Sequence, residues 1–171
     1  MNLKLIRPTA ALAEQALDFK AEFFRCGEPI INGSELLDQT DRYDVWLAAV
    51  TANQSAETVS PDWVVTDTFF AVNETGRIVG IIDLRHTLND FLKDFGNCGY
   101  SVRPSERRKG YATEMLRLLC AEAKAAGMTA LHLSVERDNL PSVKTILKNG
   151  GVYARSFSFE GQPADIYRIT L

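Results

Sequence analysis

Cysteine, histidine and contiguous basic charge are scarce in this sequence, and each scarcity removes a class of function. The three cysteines, Cys26, Cys98 and Cys120, are odd in number and never closely paired. They therefore offer neither a disulfide framework nor a Cys-x-x-Cys motif, and reduced, packed thiols are expected. The two histidines, His86 and His132, stand far apart without metal-ligand spacing, so no metal is expected. The formal net charge is -3, and the one short basic run is Arg107-Arg108-Lys109, which gives no ground for a nucleic-acid partner. No apolar stretch approaches the roughly 20 residues of a membrane span. Charge at Lys4 and Arg7, followed by Pro8, interrupts the N-terminus before a secretion signal could form. A cytoplasmic protein with no membrane partner is the expectation. Neither Gly-x-x-x-x-Gly-Lys-Ser/Thr nor Gly-x-Gly-x-x-Gly occurs, which argues against the common nucleotide-binding loops.

What is present suffices for one domain: 171 residues, 46% of them hydrophobic. Residues 2–7 alternate as a short strand, Pro8 stops it, and Thr9 can cap a helix to about Arg25. Leu12, Ala16, Phe19, Phe23 and Phe24 recur at helical spacing. Ser34, with Glu35, Leu36 and Leu37 after it, reads as the start of a second helical stretch into the fifties, with Tyr43, Trp46 and Leu47 inward. Thr68–Asn73 and Arg77–Arg85 are rich in Val, Ile and Phe about an Asn-Glu-Thr-Gly turn, which predicts a hairpin. A strand at about 97–103 ends at Pro104.

The clearest element follows. Ala112, Met115, Leu116, Leu119 and Ala123 fall three and four apart and Gly127 supplies a stop, so an amphipathic helix is predicted. Residues 130–136 alternate as a strand. Asn139 and Pro141 open a short helix whose inner face is Val143, Ile146 and Leu147 and whose end is Gly150-Gly151. A closing hairpin over 152–159 and 164–171 completes the chain. The expected architecture is α/β (α+β): a mixed, mainly antiparallel sheet flanked by helices. The strands near 97–103 and 130–136 should be parallel across the helical crossover and diverge at one end.

Gly99-Tyr100-Ser101-Val102-Arg103-Pro104-Ser105-Glu106-Arg107-Arg108-Lys109-Gly110-Tyr111-Ala112 is a strand turning into that helix through a basic, glycine-containing loop. Amides at a helix start lack intrahelical acceptors and the helix dipole adds positive potential, so the segment is suited to an anion such as a pyrophosphate. The competing reading is a solvated basic turn. Arg107-x-x-Gly110-x-Ala112 resembles the Arg/Gln-x-x-Gly-x-Gly/Ala signature of the Gcn5-related N-acetyltransferase (GNAT) family. Asn139-Leu140-Pro141-Ser142 and Lys148-Asn149-Gly150-Gly151 resemble that family's later segments. The close resemblance covers residues 98–151, and the chain is similar to a branch of acetyltransferases without an established substrate.

The resemblance implies that residues 1–171 form one acetyltransferase domain with 98–151 as its acetyl-CoA-binding core. Acetyl-CoA would be the cosubstrate and a small-molecule or peptide amine the acceptor, and a homodimer is an allowed assembly. Val102 would offer backbone bonds to the pantetheine arm. Arg107, Arg108, Lys109, Gly110, Tyr111, Ala112 and Thr113 would receive the pyrophosphate, and Asn139 would lie beside the arm or simply cap its helix. A backbone amide among Gly99 to Ser101 would stabilise the oxyanion as the amine attacks the thioester directly. Many members carry a tyrosine seven residues after the equivalent of Asn139 as general acid. Here that residue is Ile146, so the proton must be handled elsewhere or by a water. Tyr100, His86, Asp83, Glu136 and Tyr153, on or beside strands flanking the cleft, are the candidates. The alternative is a non-catalytic acyl-CoA-binding sensor.

Overall fold

The computed structural model describes residues 2–171. Seven strands and four helices follow one another as β1 (Lys4–Ile6), α1 (Ala13–Arg25), α2 (Tyr43–Ala52), β2 (Thr66–Val72), β3 (Ile78–Arg85), β4 (Tyr100–Val102), α3 (Tyr111–Ala125), β5 (Ala130–Glu136), α4 (Leu140–Lys148), β6 (Val152–Phe159) and β7 (Gln162–Thr170). The strands make two sheets, ordered β1-β2-β3-β4 and β5-β7-β6, and all the ladders are antiparallel.

β2 and β3 are buried on both faces, which is why they read as continuous apolar runs rather than as alternation. One face carries Phe70, Ile78 and Ile81 against Ala16, Phe19 and Phe23 of α1 and Tyr43, Trp46 and Val50 of α2. The other carries Phe69, Ile82 and Leu84 against Met115, Leu116 and Leu119 of α3, with Leu131, Leu133 and Val135 of β5 joining from the second sheet. A bulge leaves Val79 without a partner between the Ala71–Gly80 and Val72–Ile78 pairs. That extra residue turns Val79 toward α3, while Ile78 and Ile81 both face α1.

Two expectations change. Residues 34–52 are not one helix: Glu35 and Leu36 take left-handed backbone at φ +48° and +70°, and a short 3₁₀ turn, Leu37–Gln39, precedes α2. The strand expected over 97–103 shortens to Tyr100–Val102, and no parallel ladder joins it to β5. The two meet only beside Gly96, through an antiparallel bridge to Leu133. Gly96 is turned locally by φ +81°, and a Cβ there would stand 2.3 Å from the His132 carbonyl oxygen.

Candidate functional site

Beyond the Gly96 contact the two sheets part. Asn97 holds the closed end: its amide donates to the His132 carbonyl at 2.7 Å, the His132 amide donates to its Oδ1 at 2.8 Å, and its Nδ2 donates to the Arg85 carbonyl at 3.0 Å. Past this clamp, a cleft of about 310 Å³ is lined by Cys98, Gly99 and Tyr100 on one side and Ser134, Val135 and Glu136 on the other. Past the clamp the two segments run apart with no ladder between them.

The register dictates which backbone groups face the opening. Asp83 donates to the Gly99 carbonyl at 3.2 Å and Arg103 to the Val79 carbonyl at 2.8 Å, so residues 99, 101 and 103 bond toward β3. In an antiparallel ladder the intervening residues then point away from β3. The amides of Tyr100 and Val102 accordingly face the cleft. Just beyond β5 the Arg137 amide donates to the Pro163 carbonyl of β7, and just before β5 the Thr129 carbonyl accepts from the Leu171 amide, so the odd-numbered groups bond to β7 and the backbone groups of Ser134 and Glu136 face the opening. The cleft is a slot with unpaired strand edges on both walls, suited to an extended chain bearing amides.

At one end of the slot lies the loop before α3. Arg108 and Gly110 have left-handed backbone, at φ +63° and +87°. The first amide of this turn to find a helical acceptor is that of Glu114, which donates to the Gly110 carbonyl at 3.2 Å. The amides of Tyr111, Ala112 and Thr113 lead the helix with no such partner, in the arrangement that receives an anion. The three basic side chains are not equivalent. Arg107 grips Glu28 through two bonds of 2.8 and 2.6 Å and donates to the Val102 carbonyl at 3.2 Å. Lys109 is paired with Glu106 at 2.8 Å. Among the described residues, Arg108 alone of the three has no carboxylate partner and stays exposed.

The loop is held from below by a network that the sequence reading did not find. Arg103, 1% exposed, donates to the Ile78 carbonyl, to Asp18 and to Glu22, the last two at 2.9 Å. Glu22 also accepts the Ser105 amide at 2.7 Å. Burial alone would raise the Glu22 pKa, but the Ser105 and Arg103 contacts outweigh it and hold the carboxyl below its ordinary value.

On the α1/α2 face of β4 the chain approaches itself closely. A Cβ on Gly33 would stand 2.2 Å from the Gly99 carbonyl oxygen, and the Asn32 carbonyl accepts from Ser101 at 3.0 Å. This loop delivers Glu35 to the side chains of Asp83 and Arg85. Asp83 is fully buried, its Oδ1 accepts the Gly99 amide, and its Oδ2 lies 2.9 Å from Arg85 Nη2. Burial, and then the neighbouring Asp83 charge, push Glu35 up to about 8. In the sequence Glu35 reads only as an early helical residue; no local pattern links it to a strand almost fifty positions away.

The structure separates the five proton-transfer candidates. Tyr100 and Glu136 line the cleft, together with Asn139, Ser142 and Ile146. Tyr100 donates to the Ser142 hydroxyl at 3.2 Å, and burial pushes its phenol up to about 12. Asp83 sits behind β4, engaged with Gly99. His86 lies outside the cleft, because it follows Arg85 on the opposite side of the chain, where Asp67 holds its Nε2 at 2.7 Å; it lines a separate open depression shared with His132. Tyr153 is exposed on β6, bonded to Ser156 at 2.8 Å, and is not among the cleft residues. Asn139 is in both of its anticipated roles at once: it borders the cleft, and its side chain accepts the Ser142 amide at 3.3 Å as a helix cap. Cys98 also borders the cleft, but burial raises its thiol, followed in effect by the Asp83 charge, so no thiolate is available there.

No metal-binding cluster is formed by the His, Cys, Asp and Glu side chains among the described residues, and no helix of the described residues is long and apolar enough to cross a membrane. No curated protein is a significant match to the sequence. Three solved structures share the fold nearly end to end. A protein described as a GNAT-family acetyltransferase from Bordetella pertussis matches with TM-score 0.70 and 17% identity over 98% of this chain and 95% of its own. One from Vibrio cholerae, described as a ribosomal-protein-serine acetyltransferase, matches at 0.69 and 17% over 100% and 95%. The yncA protein of Salmonella typhimurium, solved with its cofactor acetyl-CoA, matches at 0.69 and 16% over 99% and 94%. The family model for the acetyltransferase (GNAT) domain matches residues 10–152. That span takes in the slot, the amide-rich turn before α3 and both diverging strands, and the chain belongs to the GNAT acetyltransferase family.

Proposed function

We propose that the protein is an acetyl-CoA-dependent N-acetyltransferase that passes the acetyl group directly to an amine in the β4/β5 cleft. The observation that carries this reading is the continuity of the two unpaired strand edges with the amide-rich turn at Gly110. One end suits a pyrophosphate and the slot suits an amide-bearing arm, which are the two features of acetyl-CoA that a protein must bind. Residues 1–171 act as one domain, with 98–151 carrying the cofactor.

Acetyl-CoA, when bound, supplies the activated thioester; the chain supplies position, polarity and proton handling. The Val102 amide and the backbone at Ser134 and Glu136 hold the arm. The Tyr100 amide, facing the cleft, takes the oxyanion role in place of Gly99 and Ser101, whose amides are turned to Asp83 and β3. The Tyr100 phenol, raised by burial and therefore protonated near neutrality, suits the leaving thiolate and stands in for the absent tyrosine at Ile146. The unreactive Cys98 thiol supports transfer without a covalent enzyme intermediate. Thiol release from acetyl-CoA tests the reading across spermidine, tryptamine and a lysine-containing peptide. Amine-dependent release is the expected result; tight acetyl-CoA binding without release under any amine would favour the sensor alternative.

A further inference from the structure

Three buried polar atoms in the described structure have neither a hydrogen-bond nor an ion-pair partner, Trp63 Nε1, Thr68 Oγ1 and Arg85 Nε, and beside them Asp83 Oδ2 is held only by its ion pair with Arg85 at 2.9 Å. They are not scattered. Thr68 is the register partner of Asp83, Arg85 is two residues further along the same face of β3, and its guanidinium lies 6.0 Å from the centre of the Trp63 ring. Unpaired buried polar atoms are costly singly, and three together around a buried carboxylate mark a place organised for something other than packing. Glu35 reaches this place from the loop above, on two consecutive non-glycine residues in left-handed backbone. Strain of that kind persists where the surrounding structure enforces it and gathers at active sites.

Resting on the N-acetyltransferase reading, we propose that Glu35, backed by Asp83, takes the proton from the acceptor's ammonium group and so frees the amine to attack. Asp83 is fully buried and fixed by the Gly99 amide, whereas Glu35 is partly exposed on a loop whose Asn32 and Gly33 line the cleft. Glu35 does not itself line the cleft, but Asn32 and Gly33 before it and Arg85 beside it do, so it is the member of the pair that can exchange a proton with the cleft through water. The groups facing it are Asp83 and Arg85 from β3 and the Trp63 indole from the segment before β2. On its own loop, Asp38 is engaged by the Ile31 amide at 2.9 Å.

The doubly ionised pair removes one proton from the ammonium and becomes a singly protonated pair, with the proton held between two carboxyls. The neutral amine forms the C–N bond, the C–S bond breaks, and the second nitrogen proton leaves as the Tyr100 phenol is restored after protonating the thiolate. The pair then returns its proton to water. An ordinary carboxylate is too weak a base for an alkylammonium with a pKa of about 10. A carboxyl raised to about 8 is far better matched.

The test is Glu35→Gln, measured two ways. With the parent active on an amine of the panel above, its kcat/KM should rise with pH through about 8. Glu35→Gln should lose that limb and about 10²–10⁴-fold in kcat at pH 8.5, with acetyl-CoA affinity by calorimetry unchanged. The second readout is thermal. A carboxyl whose folded pKa exceeds its unfolded one loses stability as pH rises between the two values, here from about 4.5 to about 8. Glu35→Gln should therefore melt higher than the parent at pH 8.5 and the same at pH 4. An active variant that keeps the limb and parental turnover overturns this proposal alone, as does a variant with no thermal gain at pH 8.5. A parent that releases no thiol with any amine overturns the N-acetyltransferase reading and the role of Glu35 with it.

Discussion

The Tyr100 hydroxyl donates to the Ser142 hydroxyl at 3.2 Å, spanning from β4 to the first turn of α4. This places a phenol in the cleft from the strand, while Ile146, 1% exposed, closes the wall where α4 could have offered one. Tyr100→Phe should lower kcat by about 10²–10⁴-fold and leave acetyl-CoA affinity within about twofold. Steady-state kinetics paired with calorimetry checks this. Ser142→Ala should cost less, since it removes only the phenol's anchor.

Arg108 and Lys109 differ in partnership, and that difference can be measured. Arg108→Ala should weaken acetyl-CoA binding and flatten its salt dependence, because an unpaired cation is removed. Lys109→Ala should change affinity less, because its ammonium is already committed to Glu106. Gly110→Val, imposed on a φ of +87°, should weaken binding more than either while the melting temperature falls modestly. Calorimetry at two salt concentrations separates the three.

The Asn97 side chain makes two bonds at the closed end of the V, one to the His132 amide across it and one to the Arg85 carbonyl, and at 4% exposure nothing replaces them. Asn97→Ala should cost about 1–3 kcal/mol of stability for the buried groups left unpaired. It should also raise KM for acetyl-CoA, because the spacing of the slot depends on where the V closes. Chemical denaturation and initial rates check both parts. Asn97→Asp is the sharper variant, since it keeps the acceptor for His132 but loses the donor to Arg85.

Acid should weaken the ties beneath the anion loop. Glu22 has a depressed pKa, so its contribution is fully present above the ordinary carboxylate range near 4.3 and is lost as pH falls through the depressed folded value. The parent's melting temperature should drop on acidification below about pH 4. Glu22→Gln should start lower at pH 7 and show a shallower drop. Melting curves from pH 7 to pH 3 decide it.

How legible these features were in the sequence depended on how local their causes are. β5 appears over the anticipated residues because strict alternation of Leu131, Leu133 and Val135 is a property of neighbours in the chain. α3 was equally plain from Met115, Leu116 and Leu119. Residues 34–52 misled because apolar spacing suggested one helix, whereas the backbone at Glu35 and Leu36 turns left-handed to bring a carboxyl to β3. His86 misled for a related reason: position beside a strand is readable, but the partner that fixes its ring, Asp67, lies across the hairpin. Asn97, Arg103 and Glu35 each act through contacts with residues distant in sequence. Their importance follows from topology, which no window of neighbouring residues contains.

The tie between Glu22 and Ser105 spans 83 positions, and that between Glu22 and Arg103 spans 81. Contacts of such separation carry a larger loop-closure cost than local ones, and contacts of this kind slow folding. The form of the anion loop thus depends on the docking of α1, although its own residues are consecutive. A chain with α1 poorly docked could contain every residue of the loop and still hold it in the wrong form. Substitutions on the far side of α1, remote from the cleft, should then register first as weakened cofactor retention and only later as loss of the folded state.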